Sequence, residues 1–189
     1  MKILAFGAST SSQSINRQFA NFTAAQVPGA TVTDLDLRSF DLPIYSSDEE
    51  STNGIPAAAL QFIELIRAHD AIVISMAEHN GSYTSAFKNL YDWASRSEQK
   101  VWANKPMLLL STSPGARGGA TVIETAKATF SRMGADIQMS FSLPSFHTNF
   151  DSQQGVTHTN LAKELKQAIA AIGELTNAPR KSKINITQS

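Results

Sequence analysis

Short apolar runs and helical apolar periods take turns along this chain, five times each, and that alternation restricts it to an α/β architecture. Residues 2–6 form a continuous apolar run, and Ile15, Phe19, Phe22 and Gln26 then trace one helix face. Residues 31–37 alternate, with Val32, Leu35 and Leu37 set among polar neighbours, before a helical period at Leu60, Ile63 and Ile66. The run 71–75 precedes a helix over 85–94 with Phe87, Leu90, Tyr91 and Ala94 on one side. The run 106–110 precedes a helix marked by Val122, Ala126, Phe130 and Met133. Ile137, Met139, Phe141 and Leu143 alternate as a last strand, and Leu161, Leu165, Ala168, Ile169 and Ile172 close the series with a clear helical period. Strands that alternate with helices require long crossovers and so pair in parallel.

The patterns also rank the strands. A parallel strand covered on both faces reads as a continuous apolar run, and strands one, three and four do so. Strands two and five alternate, which suits the less covered edges. With right-handed crossovers this predicts the order 2-1-3-4-5, and a ligand crevice beyond the carboxyl ends of strands one and three, where the winding reverses. Other α/β orders share the same hydrophobic pattern and stay open at this point.

Several function classes drop out. The 16 Lys plus Arg balance 16 Asp plus Glu, so there is no basic face for neutralising nucleic-acid phosphates. With no cysteine, disulfide scaffolds, thiolate metal sites and thiol catalysis are excluded. His69, His79, His147 and His158 are scattered without ligand spacing, so no metal is expected. No GxSxG elbow is present. The apolar start is too short for a secretory signal, and no run approaches the roughly 20 residues that span a bilayer. A cytoplasmic protein with no membrane partner is expected, with one domain over 1–178 and a loose polar tail over 179–189.

Three loops meet at the predicted crevice. Residues 7–17, GASTSSQSINR, pack Ser9, Thr10, Ser11, Ser12 and Ser14 before a helix start. Hydroxyls and free N–H groups at a helix N-terminus suit a phosphate. Ser12 or Ser14 serves equally as a plain N-cap, but five hydroxyls exceed what capping needs. Neither GxxxxGK[ST] nor GxGxxG is present, which sets aside nucleoside triphosphates and dinucleotides held in those ways. In the second loop, Glu78, His79 and Asn80 follow a buried strand; its plainer reading is an Asn80-Gly81 turn with Ser82 as a cap. The third, residues 111–120, carries three glycines and a proline, which let backbone approach a flat ligand.

Together these segments resemble the NADPH-dependent FMN reductase family, a flavodoxin-like group that includes quinone, chromate and azo-dye reductases. Residues 7–17 resemble that family's GSxRxxSxNR. Residues 77–82 with Phe87-Lys88-Asn89 and Asp92-Trp93 resemble PEYNxSxxxxLKNxxDW, and residues 111–119 resemble SxSPGxxGG. Residues 41–45 also resemble the family's loop after strand two. The resemblance implies a flavodoxin-like three-layer αβα sandwich that binds FMN and uses NADPH or NADH as co-substrate, with a small electron acceptor as the other partner. It implies Ser9, Ser11, Ser14 and Asn16 at the FMN phosphate. Glu78, His79 and Asn80 would run along the ribityl chain and ring edge through backbone N–H groups, with Ser113 and Gly115 beside the ring. It also implies a homodimer or homotetramer, to which Phe87, Tyr91, Trp93 and Trp102 are candidate contributors alongside the core.

Three positions depart from the motifs. Ser11 stands where the family has Arg, Ala77 where it has Pro, and His79 where it has Tyr. Losing a charge-assisted contact of that kind costs about 1.5–3 kcal/mol, and Arg17 and Arg117 are the nearby cations that could replace it. Three readings stay open: a nicotinamide-oxidising reductase, a flavodoxin-type electron carrier without nicotinamide oxidation of its own, and a domain that keeps the fold without binding flavin, which Ser11 alone favours.

Overall fold

The computed structural model describes residues 1–174; the expected tail over 179–189, and residues 175–178, lie outside them. Strands β1 (Lys2–Gly7), β2 (Thr31–Asp34), β3 (Ala71–Met76), β4 (Pro106–Thr112) and β5 (Asp136–Leu143) form one sheet. All neighbours are parallel, in the order β2-β1-β3-β4-β5, as the patterning predicts. Every residue of β3 is buried, as are five of the six in β1, whereas β2 has none buried. Continuous apolar runs thus mark the centre because both sheet faces there are covered.

The helices are α1 (Ile15–Ala25), α2 (Ser47–Asn53), α3 (Ala57–Ala68), α4 (Ser85–Ser97), α5 (Ala120–Phe130), α6 (Phe146–Asn149) and α7 (Thr159–Gly173). Helices α1 and α7 cover one sheet face through Phe19, Ala20, Leu165 and Ile172. Helices α3, α4 and α5 cover the other through Phe62, Phe87, Leu90 and Phe130. Side chains of β4 alternate between the two cores, Met107 and Leu109 to one, Leu108 and Leu110 to the other.

The last strand departs from its expected single apolar face. Met107 pairs with Ile137 but Leu108 pairs with Met139, so Gln138 is an extra residue, a bulge that reverses the parity of the rest of the strand. Ile137 therefore packs on the α3–α5 side while Phe141 and Leu143 face α1 and α7, and Met139 is left 40% exposed.

Helix α2 has no apolar period and buries nothing, so periodicity does not find it. Its start is nonetheless encoded: the Ser46 hydroxyl accepts from Glu49 N at 3.0 Å, and Asp48, Glu49 and Glu50 occupy the first turn. The aromatic candidates for subunit contact lie in the core. Phe87, Trp93 and Trp102 are fully buried, Trp102 packs 4.6 Å from Phe130, and Trp93 donates its indole N–H to Pro43 O at 2.8 Å. Their size is used for core volume, the usual fate of such side chains.

At the β2 edge, Arg17 reaches out from α1 to Asp34 at 2.8 Å and Asp36 at 2.6 Å, and Arg38 joins Asp36. The Arg38 hydrogen bond holds the Asp36 carboxyl well below the usual carboxylate range. Burial pushes Asp34 upward, but its bonds to Arg17 and Asn21 outweigh this and leave it lowered. Carboxyls lowered in the folded state stabilise it above their unfolded values, about pH 4, and lose that contribution as pH falls further. Asp36→Asn is therefore expected to lower the urea midpoint at pH 7. The gap to wild type should close as pH falls below about 4; a gap unchanged at pH 2 would refute the linkage.

Candidate functional site

The loop between β1 and α1 is a chain of hydroxyl turns. Ala8 N extends the β1–β3 ladder by donating to Ser75 O at 2.8 Å. The Ser9 hydroxyl then accepts from Ser11 N at 3.1 Å, and the Ser11 hydroxyl from Gln13 N at 3.3 Å. Ser14 accepts from Arg17 N at 3.1 Å and caps α1. A hydroxyl that accepts in this way still has its own proton to donate. None of the three donates it to another described residue. The N–H groups of Ile15 and Asn16 begin the helix without an intrahelical acceptor. Ser14 thus combines the two readings of this loop, capping by acceptance while keeping a donor.

Asn16 does something the sequence did not suggest. Its Oδ1 accepts from Ser75 Oγ at 2.7 Å and from Thr112 N at 3.0 Å, and its Nδ2 donates to Thr112 O at 3.1 Å. Both main-chain groups of Thr112 thus meet a side-chain amide that stands in for a peptide group, one rung beyond the end of β3. The carboxamide oxygen is fully committed to the sheet and Nδ2 spends one of its two protons there, so what Asn16 offers a ligand is its backbone N–H and at most the second Nδ2 proton.

The second loop is a two-residue hairpin. Asn80 and Gly81 both have positive φ, 53° and 75°, and His79 and Ser82 exchange two backbone hydrogen bonds of 3.0 and 3.1 Å. Of the three N–H groups expected to face a ligand, that of His79 is thereby spent. Ser82 closes the hairpin instead of capping α4; Thr84 is the cap, accepting from Phe87 N while donating to Ala8 O at 2.9 Å. Glu78 turns its carboxylate to α5, where Oε2 accepts from Val122 N at 2.8 Å, a favourable position at a helix N-terminus.

In the third loop the Ser113 hydroxyl donates to Gly115 O at 3.2 Å. Two further bonds tie this loop to the segment after β5: Ser145 N to Gly115 O at 2.9 Å and Phe146 N to Ser113 O at 3.0 Å. That docking brings in His147, which the sequence offers only as one of four scattered histidines, on the short helix α6.

A cavity of about 260 Å³ opens between these loops. Ser9, Ser11, Ser14 and Asn16 form one wall, Glu78 and His79 a second, and Ser113 and His147 a third. Asn80 and Gly115 do not line it: one is the hairpin tip, and the other anchors the Ser145 segment. The lining has no lysine or arginine. Arg17 is engaged with Asp34 and Asp36 at the sheet edge, and Arg117 donates to Thr121 Oγ1 at 2.6 Å, so neither supplies the cation missing at Ser11. Among the described residues no three His, Asp or Glu are grouped to hold a metal ion, and no helix is long and apolar enough to cross a membrane.

Residues 1–171 match the family model of NADPH-dependent FMN reductase. The chain belongs to that family. An FMN reductase family member of this kind has relatives named for quinone chemistry. It is similar to the quinone reductase of Escherichia coli K12, 39% identical over 80 residues, which is 42% of this chain and 43% of that relative, so under half of the relative's length is matched. It is 27% identical to the NADPH:quinone oxidoreductase of Arabidopsis thaliana over 85% of this chain and 82% of that one. Among solved structures it resembles the flavoenzyme NAD(P)H:(acceptor) oxidoreductase of Paracoccus denitrificans, with TM-score 0.73 and 25% identity over 92% of this chain and 95% of that one.

Proposed function

We propose that this member of the FMN reductase family is an FMN-dependent oxidoreductase that takes hydride from NADPH or NADH and passes electrons to a quinone, a flavin or a similar small acceptor. The observation that carries the reading is the hydroxyl-lined cavity at the N-terminus of α1, at the point where the sheet order reverses. Its donor set fits a phosphate monoester: three serine hydroxyls with protons to give, and the N–H groups of Ile15 and Asn16 at the positive end of a helix dipole. When bound, the flavin supplies the hydride chemistry itself, and the protein's part is binding and orientation.

On this reading Ser9, Ser11 and Ser14 hold the phosphate. Asn16 positions them by fixing α1 to β3 and β4. Glu78 and His79 border the middle of the ligand, with Glu78 keeping its loop against α5. Ser113 and Pro114 border the flat ring, held in place by the bonds to Ser145 and Phe146. Asn80 and Gly115 act through loop shape. We further read the chain as a cytoplasmic homodimer or homotetramer, supported by Ile44, 79% exposed in the loop beside α4; a monomer by light scattering removes that part.

The test is spectroscopic. Anaerobic NADPH should bleach the visible flavin band of the purified protein, and a quinone should restore it. Protein that binds no FMN, and consumes no NADPH when FMN and quinone are supplied, overturns the proposal. A flavin reduced only after a separate reductase is added would make the protein a carrier.

A further inference from the structure

We propose that His147 is the cationic partner of the ligand's phosphate, donating from α6 across the cavity toward the N-terminus of α1. This deepens the FMN reading and rests on it. A phosphate monoester carries between one and two negative charges near neutral pH, yet the α1 wall offers only neutral hydroxyls and N–H groups. Among the side chains lining the cavity, His79 and His147 alone can become positive. His79 belongs to the hairpin that follows β3. His147 belongs to an element packed on the same sheet face as α1 itself.

That packing is built in several layers. Ser145 adopts φ 47°, turning the chain sharply after β5, and its N–H and that of Phe146 fasten the turn to Gly115 and Ser113. Phe146 is buried and stacks on Phe150, with centroids 4.7 Å apart and rings 21° from parallel. Phe150 in turn meets Phe19 and Phe22 of α1 edge-on, at 5.9 and 5.2 Å. Helix α6 is thereby held against the helix that presents the phosphate donors. His147 follows the anchored Phe146, with its ring 5.5 Å from it and nearly perpendicular. The imidazole makes no hydrogen bond to another described residue, so its N–H groups are available to the cavity it lines. Apart from His79, whose imidazole also makes no hydrogen bond to another described residue, the ionisable groups nearby are committed elsewhere. Glu78 accepts from Val122 N, Asp151 accepts from Gln153 and Gln154 N, and Arg17 points to the β2 edge.

A contact to phosphate discriminates FMN from riboflavin, which shares the ring and ribityl chain and lacks only the phosphate. Full-length protein freed of flavin is titrated with each, following flavin fluorescence. His147→Gln is expected to weaken FMN about tenfold, the scale of one charge-assisted hydrogen bond, and to leave riboflavin unchanged. Adding Ser11→Arg to that variant, which returns a cation from the opposite wall, should recover most of the loss. Equal weakening of both flavins places His147 at the ring and overturns the proposal, as does no change for either. Wild-type protein that binds neither flavin removes the FMN reading itself.

Discussion

Replacing Asn16 by alanine will cost the fold about 3 kcal/mol and the FMN affinity together, although every hydrogen bond its side chain makes is to the sheet. Its three hydrogen bonds are to Ser75 Oγ, Thr112 N and Thr112 O, and Asn16 and both partner residues are at most 4% exposed. Truncation leaves a hydroxyl and both main-chain polar groups of one residue, Thr112, without partners, at about 1 kcal/mol each, with more where water cannot enter. It also frees the first turn of α1 from the ends of β3 and β4, so the Ser14 hydroxyl and the N–H groups of Ile15 and Asn16 no longer share one fixed geometry. Asn16→Asp is the sharper variant: it keeps the shape and the acceptor but sets a carboxylate oxygen against Thr112 O. Urea unfolding followed by far-ultraviolet dichroism, with flavin titration of the same preparations, measures both effects. A wild-type urea midpoint for Asn16→Ala, or a lowered midpoint with undiminished FMN affinity, would refute the coupling.

The same residue shows where the sequence is legible and where it stops. Composition and spacing placed the 7–17 loop at the crevice because hydroxyl density before a helix is a local property. Burial on both faces likewise made β1, β3 and β4 readable as continuous apolar runs, and with them the strand order. Asn16 stood in the right motif, but which of its atoms face the ligand depends on where Thr112 lies, 96 residues away. Thr84 and Ser82 are equally good caps by type; the hairpin at Asn80 and Gly81 consumes Ser82 and leaves the cap to Thr84. Arg17 was a candidate phosphate ligand by proximity in sequence, yet Asp34 and Asp36 at the sheet edge take its guanidinium. His147 stands in the sequence only as a scattered histidine, for a related reason. Its place is set by the φ of Ser145 and by two bonds to the third loop, and no periodicity encodes those. Local patterns thus predicted the loops, and long-range hydrogen bonds decided which groups within them remain free.

Gly7→Ala should be strongly damaging, while Gly115→Ala should be nearly silent, although both glycines lie in the loops that frame the cavity. A Cβ on Gly7 would stand 2.3 Å from Arg17 N, 2.7 Å from Asn16 C and 2.8 Å from Arg17 Cα. All three are backbone atoms, so no rotamer change relieves the clash, and the first turn of α1 must move away from β1. That displacement pulls on the Asn16 bonds to Thr112 as well, so strain and lost hydrogen bonds add. Overpacking against an immovable neighbour costs about 3 kcal/mol or more, which for a domain of this size lowers the melting temperature by about 6–12 °C. A Cβ on Gly115 meets only Ser113 Oγ, at 3.9 Å, an ordinary contact, and its φ is not in the left-handed region. The pair therefore separates two uses of glycine: close approach of a helix to a strand end at Gly7, and loop sequence without a steric demand at Gly115. Melting temperature, soluble yield and bound flavin are read for both variants beside wild type. Gly7→Ala melting within a degree or two of wild type, or Gly115→Ala losing as much as Gly7→Ala, would show that α1 is not seated on β1 as described. In that case the hydroxyls it carries would lose their claim to a fixed phosphate geometry.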